Sequence, residues 1–346
     1  MNLSKYICPN CRRSELRIQS RVWKCEHCGK EYTTVNGIPR LYVESELGKK
    51  DKELRDKFYN GFLGTYYQHV MPFLSLPARP ALMSWKEWLF YTVFVLVVLS
   101  LVAYLISSIL VLGFGSIAQI IVALILIAIG FFLFKHPYLF YLLLLAVPVK
   151  LSLLLNRFRP SKSFPEVHAD ALRELSNRGD RLQLLDISTG TCNSLYRHGW
   201  MNLDADYTGL DLSETMLLQG QKLMAERQIP VELVLGDATR LPFANDTFDI
   251  VLNYGALNGF TNPKLALEEM ARVARPRALV LFLDEQLYER ASFVERLYFR
   301  KVLSSHNVIH RCPVDLIPAS LSDITVHQVY HFYYICTCYK PQIHAG

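Results

Sequence analysis

The stretch LGDATRLPFANDTFDIV, residues 235–251, sets the fold class of this chain. A short apolar run ends at Leu235 and is followed by Asp237; after a loop with turn residues, a second apolar run begins at Phe248. This order of strand, carboxylate, loop and strand is typical of an open α/β sheet. In such a sheet, ligands bind in the crevice at the carboxyl ends of the strands. Asp237 is therefore the first candidate for a ligand-binding residue.

The same alternation of strand and helix extends over residues 165–340. Apolar runs predict strands that cover residues 182–187, 231–235, 248–253 and 278–283, with one more strand that ends at 211. The intervening segments carry apolar residues at helical spacing, as in 265–273. Strands that alternate with helices imply a parallel, doubly wound Rossmann-like sheet. The last two runs, 324–329 and 332–339, predict an antiparallel hairpin at the carboxyl-terminal edge.

Three carboxylates end successive predicted strands at even intervals. Asp186, Asp211 and Asp237 are separated by 25 and 26 residues, which is one strand–helix unit each. Together with the stretch at 235–251, they resemble the class I S-adenosylmethionine-dependent methyltransferases, particularly those that methylate quinones and lipids. The resemblance covers residues 165–340 and implies a binding site for S-adenosylmethionine.

The first strand carries the family's glycine motif in altered form. The motif Asp-x-Gly-x-Gly-x-Gly is here Asp186-Ile-Ser188-Thr-Gly190-Thr-Cys192, so only the middle glycine is kept. Glycine suits this turn because the backbone passes close to the ligand. Ser188 and Cys192 each add a side chain near the cofactor. The altered motif therefore supports cofactor binding more strongly than it supports methyl transfer.

The resemblance assigns a part of the cofactor to each of the remaining residues. It implies that Asp211 accepts both ribose hydroxyls and that Asp237 accepts a hydrogen bond from the adenine amino group. Leu212 and Ala238 would sandwich the adenine ring, and Asn253 would reach the cofactor. The expected cofactor-binding set is Asp186, Ser188, Gly190, Asp211, Leu212, Asp237, Ala238 and Asn253.

The substrate side of the site is less defined. Tyr254 and Asn258 follow the fourth strand and are weak candidates for substrate contact, although packing is an equal explanation for Tyr254. A methyl acceptor needs at most a nearby base, because such reactions depend largely on proximity and orientation. His198, His306 and His310 are candidates, but isolated histidines more often pack or lie at the surface, so the base stays unassigned.

The family's Arg-Val-Leu-Lys-Pro-Gly-Gly turn, which precedes the fifth strand, reads RVARPRA at 272–278. Both glycines are lost, so we expect the turn to use positive φ less freely. This change affects the turn more than the cofactor site.

Four cysteines form two C-x-x-C pairs near the amino terminus. Cys8 and Cys11 are followed, thirteen residues later, by Cys25 and Cys28. This spacing predicts a tetrahedral four-sulfur zinc site with no open ligand position, hence a structural metal. A redox-active cysteine pair is the alternative, but a single C-x-x-C would be enough for that chemistry. Residues 1–43 resemble the small zinc-ribbon domains that are fused to methyltransferases or activate them.

An uncharged run of 47 residues, 88–134, interrupts the chain. About 20 apolar residues cross a bilayer, so 88–112 and 117–134 predict a transmembrane hairpin. Residues 138–155 predict an interfacial or re-entrant segment, with a third crossing as the alternative. Basic flanks place both ends of the hairpin in the cytoplasm, so we expect an inner-membrane protein with ribbon and sheet on the cytoplasmic side.

The expected organisation is thus a zinc ribbon (1–43), a methyltransferase entry helix (44–84), a membrane region (85–156) and a methyltransferase domain (165–340). The first functional hypothesis is a methyltransferase anchored in the lipid bilayer that acts on an apolar small molecule, such as a quinone, isoprenoid or lipid. The second is a non-catalytic subunit that serves as a scaffold for partner subunits in a membrane complex. An RNA methyltransferase is a weaker third hypothesis, because the sequence has no stripe of aromatic and basic residues that would bind nucleic acid.

Overall fold

The computed structural model describes residues 3–13, 16–19, 22–61, 64, 164–178, 181–300, 310–329 and 332–342. The chain separates into two compact units. The first contains Met1–Val70, Arg159–Ala291 and Ser304–Gly346, and the second contains Met71–Phe158 and Ser292–Leu303. In the second unit, the described part is a short helix, Phe293–Tyr298, whose first turn is capped reciprocally by Ser292 and Glu295.

The first unit is built on a nine-stranded sheet. Its strands are β4 (Thr34–Val35), β5 (Ile38–Leu41), β6 (Leu182–Ile187), β7 (Ala205–Asp211), β8 (Val231–Gly236), β9 (Phe248–Tyr254), β10 (Ala274–Glu285), β11 (Ser322–Val329) and β12 (Tyr333–Tyr339). Their order across the sheet is β11-β12-β10-β9-β6-β7-β8-β5-β4. A separate three-stranded antiparallel sheet comprises β1 (Leu16–Gln19), β2 (Val22–Cys25) and β3 (Glu31–Tyr32).

The five central strands run parallel; at the edge, β12 pairs antiparallel with β10, and β11 pairs antiparallel with β12. The predicted doubly wound sheet and its edge hairpin are confirmed. Strand ends differ from the prediction by a few residues, the largest difference being β10, which already begins at Ala274. The apolar runs predict these strands well because central parallel strands are buried on both faces.

Helices cover both faces of the sheet. The helices of the first unit are α1 (Lys49–Glu53), α2 (Phe164–Ser176), α3 (Asn193–Arg197), α4 (Glu214–Glu226) and α5 (Pro263–Val273). Helix α2 packs through Val167 and Leu175 with one row of strand side chains, and α5 packs through Leu267 and Met270 with the opposite row. The loops at the carboxyl strand ends are thereby left to form a site.

The amino-terminal segment is part of the same sheet. Strand β5 pairs in parallel with β8, with Arg40 opposite Leu235 and Leu41 opposite Gly236. Lys5, which is only 8% exposed, donates to Thr208 (2.9 Å) and forms an ion pair with Glu232. Apolar periodicity within 1–43 does not reveal that β5 pairs with β8, because the two strands lie about two hundred residues apart in sequence.

The expected entry helix is short where the structure describes it. Helix α1 continues as a π-helical turn, Leu54–Tyr59, and Asn60 ends it. The Asn60 amide oxygen accepts from the Ser213 hydroxyl (2.7 Å) at the start of α4. Asp51 accepts from the Thr261 N–H (3.1 Å) after β9. The segment therefore lies across the carboxyl ends of the sheet.

Within the described ranges, no helix is both long and apolar enough to span a bilayer. The predicted spans at 88–112 and 117–134 and the segment at 138–155 lie outside those ranges.

The RVARPRA segment differs from expectation; from Ala274 onward it belongs to β10, whose register shifts between Ala274 and Leu279. Arg277 occupies a position where the resembled family has glycine, and it still adopts a positive φ of 65°. The prediction that this turn would use positive φ less freely is therefore wrong at Arg277. The Arg277 N–H donates to the Lys340 carbonyl (2.7 Å), so pairing with the chain after β12 holds the left-handed residue in place.

Candidate functional site

Asp186 is the last polar residue of β6 and is fully buried. Its Oδ2 accepts from the Thr189 hydroxyl (2.6 Å), whereas its buried Oδ1 has no partner among the described residues. Burial raises the pKa of Asp186 to about 7, and the neighbouring Asp211 adds to this rise. A buried carboxyl oxygen without a donor is costly, so this end of β6 favours a ligand that brings a donor or a positive charge.

Asp211 ends the adjacent strand and holds two loops at once. Its Oδ2 accepts from the Gly190 N–H and its Oδ1 from the Ser213 N–H, both at 2.8 Å. Burial raises its pKa in spite of these hydrogen bonds. A carboxylate offers about four acceptor positions, so each oxygen keeps one for a ligand. Two parallel acceptors of this kind match a vicinal diol.

Asp237 follows the end of β8 and is 8% exposed. Its Oδ1 accepts from both the N–H and the hydroxyl of Thr239, each at 2.8 Å. The structure gives Oδ2 no donor within the described ranges. Burial raises the pKa of Asp237 despite the contacts from Thr239.

The three carboxyl groups form a diagonal across neighbouring strands. Asp186 lies opposite Gly209, two residues before Asp211, and Asp211 lies opposite Leu235, two residues before Asp237. With about 3.3 Å per residue and about 4.8 Å between strands, each step spans about 8 Å. The row is therefore about 16 Å long, which suits an extended nucleoside ligand with a polar tail. No ion pair joins any of the three to a lysine or arginine of the described ranges.

The turn after β6 keeps the backbone of a glycine-rich loop with only one of the motif's three glycines. Ser188, Gly190 and Cys192 have φ values of 58°, 55° and 58°. Left-handed backbone costs a non-glycine residue about 1–2 kcal/mol. The fold therefore holds Ser188 and Cys192 in the conformation for which the motif uses glycine, and the Gly190 N–H still reaches Asp211.

The other predicted cofactor residues lie around this row. Leu212 and Ala238 directly follow Asp211 and Asp237, and Leu212 is half-buried whereas Ala238 is buried. Asn253, near the end of β9, is fully buried and donates from Nδ2 to the Ile187 carbonyl (3.0 Å). Its Oδ1 is buried without a partner among the described residues. The amide thus faces the same strand ends with a free acceptor.

Tyr254 ends β9 within an aromatic cluster that sequence reasoning missed. Its hydroxyl is 3.0 Å from His168 Nε2 and accepts from the Trp200 indole N–H. His168 stacks on His198 with ring centroids 4.5 Å apart. Burial lowers the pKa of His168 to about 4 and that of His198 well below its ordinary value. Both are neutral packing partners of Tyr254, which weakens the expectation that His198 is a base.

Asn258 lies in a second polar network, at the end of β10. Its N–H donates to Asp284 Oδ2 (2.7 Å), its side chain donates to the Glu285 carbonyl (3.0 Å), and Tyr334 donates to its Oδ1 (3.3 Å). The amide therefore supports the loop rather than projecting alone into the site. Burial and the adjacent Asp284 raise the pKa of Glu285 to about 10.

Two further histidines were candidates for the base. His310 lies near Asp284 and Lys50, and burial lowers its pKa. His306 lies outside the described residues.

The four amino-terminal cysteines meet at one point. Their sulfurs lie within 4.8 Å of one another, with 3.7 Å from Cys8 to Cys28 and 3.6 Å from Cys11 to Cys25. These distances are too long for disulfides. They match a tetrahedron of sulfurs around zinc, which has edges of about 3.8 Å at a Zn–S distance of about 2.3 Å. The donor set therefore fits a structural zinc ion.

The four thiols differ in pKa. Burial raises the pKa of Cys8, Cys11 and Cys25. Burial also acts to raise the pKa of the Cys28 thiol, but the Lys30 N–H, the Asn10 side chain and the neighbouring thiols lower it to about 6. A thiolate is the form that binds metal.

Comparison with known proteins identifies the sheet region. A family model described as a methyltransferase domain matches residues 185–282. A ubiquinone/menaquinone biosynthesis C-methyltransferase of Roseobacter denitrificans is 36% identical over 104 residues, which is 30% of this chain and 42% of that protein. A demethylmenaquinone methyltransferase of Mycobacterium tuberculosis is 39% identical over 114 residues, 32% of this chain and 44% of that protein. The resemblance to methyltransferases is confirmed over residues 185–282, and the domain bounds 165–340 stay a prediction.

The match is partial in length. The chain spans between 37% and 59% of the first curated relatives it matches. Among solved structures, a phosphoethanolamine N-methyltransferase 2 of Haemonchus contortus in complex with S-adenosyl-L-methionine is 13% identical, with a TM-score of 0.41 over 51% of this chain and 53% of that one.

Proposed function

We propose that this protein is an S-adenosylmethionine-dependent methyltransferase. The observation that carries the proposal is the diagonal row of Asp186, Asp211 and Asp237, each with an acceptor left over at the carboxyl end of its strand. The relatives that match this region are named as methyltransferases. S-adenosylmethionine is an adenosine with a cationic tail, so its charge opposes the repulsion between Asp186 and Asp211.

The row also suggests how the cofactor is oriented. Asp237 Oδ2 would accept from the adenine amino group, with the ring between Leu212 and Ala238. Asp211 would accept from the two ribose hydroxyls. Asp186 and Asn253, which hold buried oxygens without described partners, would face the amino-acid end. Ser188 and Gly190 would line the turn between these ends.

The bound cofactor supplies an activated methyl group for transfer to a nucleophile. The chain's contribution is to bind both molecules in line and to exclude water. Tyr254 and Asn258 would border the acceptor side, where hydrogen bonds to His168 and Asp284 position them. Burial and the adjacent Asp284 raise the pKa of Glu285, which favours its protonated form.

The acceptor we propose is an apolar small molecule of the quinone class. Two features support it: the relatives named as ubiquinone or menaquinone methyltransferases, and the uncharged stretch at 88–134. A membrane hairpin inserted ahead of the domain would hold the site at the bilayer surface, where such a substrate resides. We propose the cytoplasmic face of the inner membrane as the location.

Zinc is the second bound group that we propose. Cys8, Cys11, Cys25 and Cys28 would hold it as a closed, structural site. Its chemistry there is to fix the two knuckles, and it takes no part in methyl transfer.

A non-catalytic scaffold is the alternative function. Ser188 and Cys192 favour it, because they place side chains where the motif has glycine. Their retained left-handed backbone opposes it, because a fold without a ligand would have no reason to maintain that strain.

The decisive experiment measures binding and turnover separately. Full-length protein in detergent is titrated with S-adenosylhomocysteine by calorimetry, and then incubated with labelled S-adenosylmethionine and lipid extract from cells that lack the gene. Label in a quinone fraction supports the proposed activity. Binding without any labelled product supports the scaffold, and absence of binding refutes the cofactor assignment.

A further inference from the structure

The loop that carries Asp237 is held by the first cysteine knuckle. The Arg240 guanidinium donates to the Pro9 carbonyl and, at 2.8 Å, to the Asn10 carbonyl. Pro9 and Asn10 are the two residues between the metal-site cysteines Cys8 and Cys11. These contacts span about 230 positions of sequence, so the fold alone creates them.

The opposite side of the loop is fixed by a buried carboxylate. Glu269 in α5, with a side chain 4% exposed, accepts from the Leu241 N–H at 2.8 Å. The same carboxylate pairs with Arg272 (2.8 Å) and with Arg12, which directly follows Cys11. The first cysteine knuckle and α5 therefore hold the loop from opposite sides through hydrogen bonds.

Arg240 and Asp237 belong to one tight turn. The Arg240 N–H donates to the Asp237 carbonyl at 3.1 Å, and Thr239 orients the Asp237 carboxylate from within that turn. A displacement of Arg240 is therefore transmitted to the carboxylate over three residues, without an intervening flexible segment.

A bound metal would add to the hold on the knuckle carbonyls. The Asn10 N–H already donates to the Tyr32 hydroxyl (3.2 Å) and the Asn10 side chain to Cys28 Sγ (3.6 Å), so hydrogen bonds join the first knuckle to the second. The four sulfurs have no covalent link to one another, and a shared ion would tie them together at the point where they meet. Without the ion, the carbonyls of Pro9 and Asn10 would be held by hydrogen bonds alone.

We propose that the metal-loaded first knuckle is a positioning element of the cofactor site, so that zinc occupancy sets the affinity for the adenosyl ligand through Arg240. This inference rests on the proposed function. Thermodynamic linkage makes the effect reciprocal: the ligand must raise zinc affinity by the same factor by which zinc raises ligand affinity.

Four forms of the full-length protein test the coupling: wild type, Arg240→Ala, Glu46→Gln and Arg40→Gln, each with zinc and after chelation. Glu46→Gln is the matched control, because Glu46 pairs with Arg240 (3.3 Å) at the surface but belongs to no knuckle. Arg40→Gln removes a different link between the amino-terminal segment and the domain, to Glu214 (2.9 Å).

S-adenosylhomocysteine affinity is the first readout, with zinc content measured on the same samples. We expect about tenfold weaker binding for chelated wild type and for zinc-loaded Arg240→Ala, since about 1.4 kcal/mol of lost hydrogen bonding corresponds to a factor of ten. Chelation should add little to Arg240→Ala, whereas Glu46→Gln and Arg40→Gln should keep the full zinc dependence. Equal affinity with and without zinc in wild type, or undiminished zinc dependence in Arg240→Ala, overturns the proposal.

Amide hydrogen exchange is the second readout and needs no ligand. Zinc should slow exchange of the Leu241 N–H in wild type but much less in Arg240→Ala. Unchanged exchange in wild type overturns the positioning role by itself. If zinc protects the loop and S-adenosylhomocysteine still does not bind, the proposed cofactor is wrong and the affinity part of this inference falls with it.

Discussion

Substitution of Asp211 by asparagine should separate ligand binding from loop support. The side chain keeps its shape and one carbonyl oxygen, but its charge and its second acceptor are lost. In the folded protein, its oxygens accept from Gly190 and Ser213, both at 2.8 Å. The amide must therefore present NH₂ to one of these N–H donors, whichever way it is turned.

The expected magnitude follows from the acceptors that are lost. A hydrogen bond to a charged group contributes about 1.5–3 kcal/mol, and one between neutral groups contributes about 1 kcal/mol. Two charged hydrogen bonds to the ribose hydroxyls become one neutral one, so binding of S-adenosylhomocysteine should weaken by about 2–5 kcal/mol, or about 30-fold to 4,000-fold. The unliganded fold should lose about 1–3 kcal/mol for the unsatisfied donor.

Calorimetric titration and urea unfolding measure the two effects on the same samples. Asp206→Asn is the matched control, because Asp206 lies on the same strand but at the surface, paired with Arg181 (2.7 Å). It should leave the affinity unchanged. A loss of less than threefold for Asp211→Asn, or an equal loss for Asp206→Asn, would refute the assignment of Asp211 to the ribose.

Three further predictions concern the same framework. Asp186 has a pKa raised to about 7, so the unliganded fold is more stable when this group is protonated and loses that stability as pH rises through 7. A cationic ligand favours the ionised form of Asp186, so the affinity for S-adenosylmethionine should fall about tenfold per pH unit below 7. A flat pH profile in Asp186→Asn would confirm that Asp186 causes this dependence. A pH profile in Asp186→Asn equal to that of the wild type would contradict it. Burial acts to raise the pKa of Glu269, but Arg272 and Arg12 lower it overall, so its stabilisation is present above the ordinary carboxyl pKa and is lost as pH falls through the lowered value. Glu269→Gln should cost about 2–4 kcal/mol in urea unfolding at pH 7 and less at pH 3; a cost independent of pH would count against the ion pairs. Ser188→Gly should stabilise the unliganded protein by about 1 kcal/mol in thermal unfolding, because φ of 58° is strained for serine, and destabilisation would show that the side chain outweighs the strain.

Much of the site could be predicted because its residues stand at strand ends. A carboxylate directly after an apolar run must lie at the carboxyl edge of a parallel sheet, and the intervals of 25 and 26 residues place Asp186, Asp211 and Asp237 on neighbouring strands. The cysteine pairs were predictable for a similar reason, since each knuckle is local in sequence.

The aromatic cluster around Tyr254 could not be predicted in this way. His168 comes from α2, whereas His198 and Trp200 come from the segment that follows α3, and their stacking around Tyr254 depends on how α2 packs on the sheet. The only sequence signal was the presence of histidines near apolar residues, which is common in cores.

By itself, the sequence determined the order of strands and helices, the three carboxylates and the four-cysteine cluster, because each depends on short-range spacing and burial of apolar runs. Tertiary structure alone decided that β5 extends the sheet beside β8 and that Arg240 reaches the knuckle carbonyls. The physical reason is that these contacts join residues about two hundred positions apart, where packing and hydrogen-bond geometry select the partner. The stretch at 235–251 thus predicts a ligand site, and the fold adds the amino-terminal knuckle that supports it.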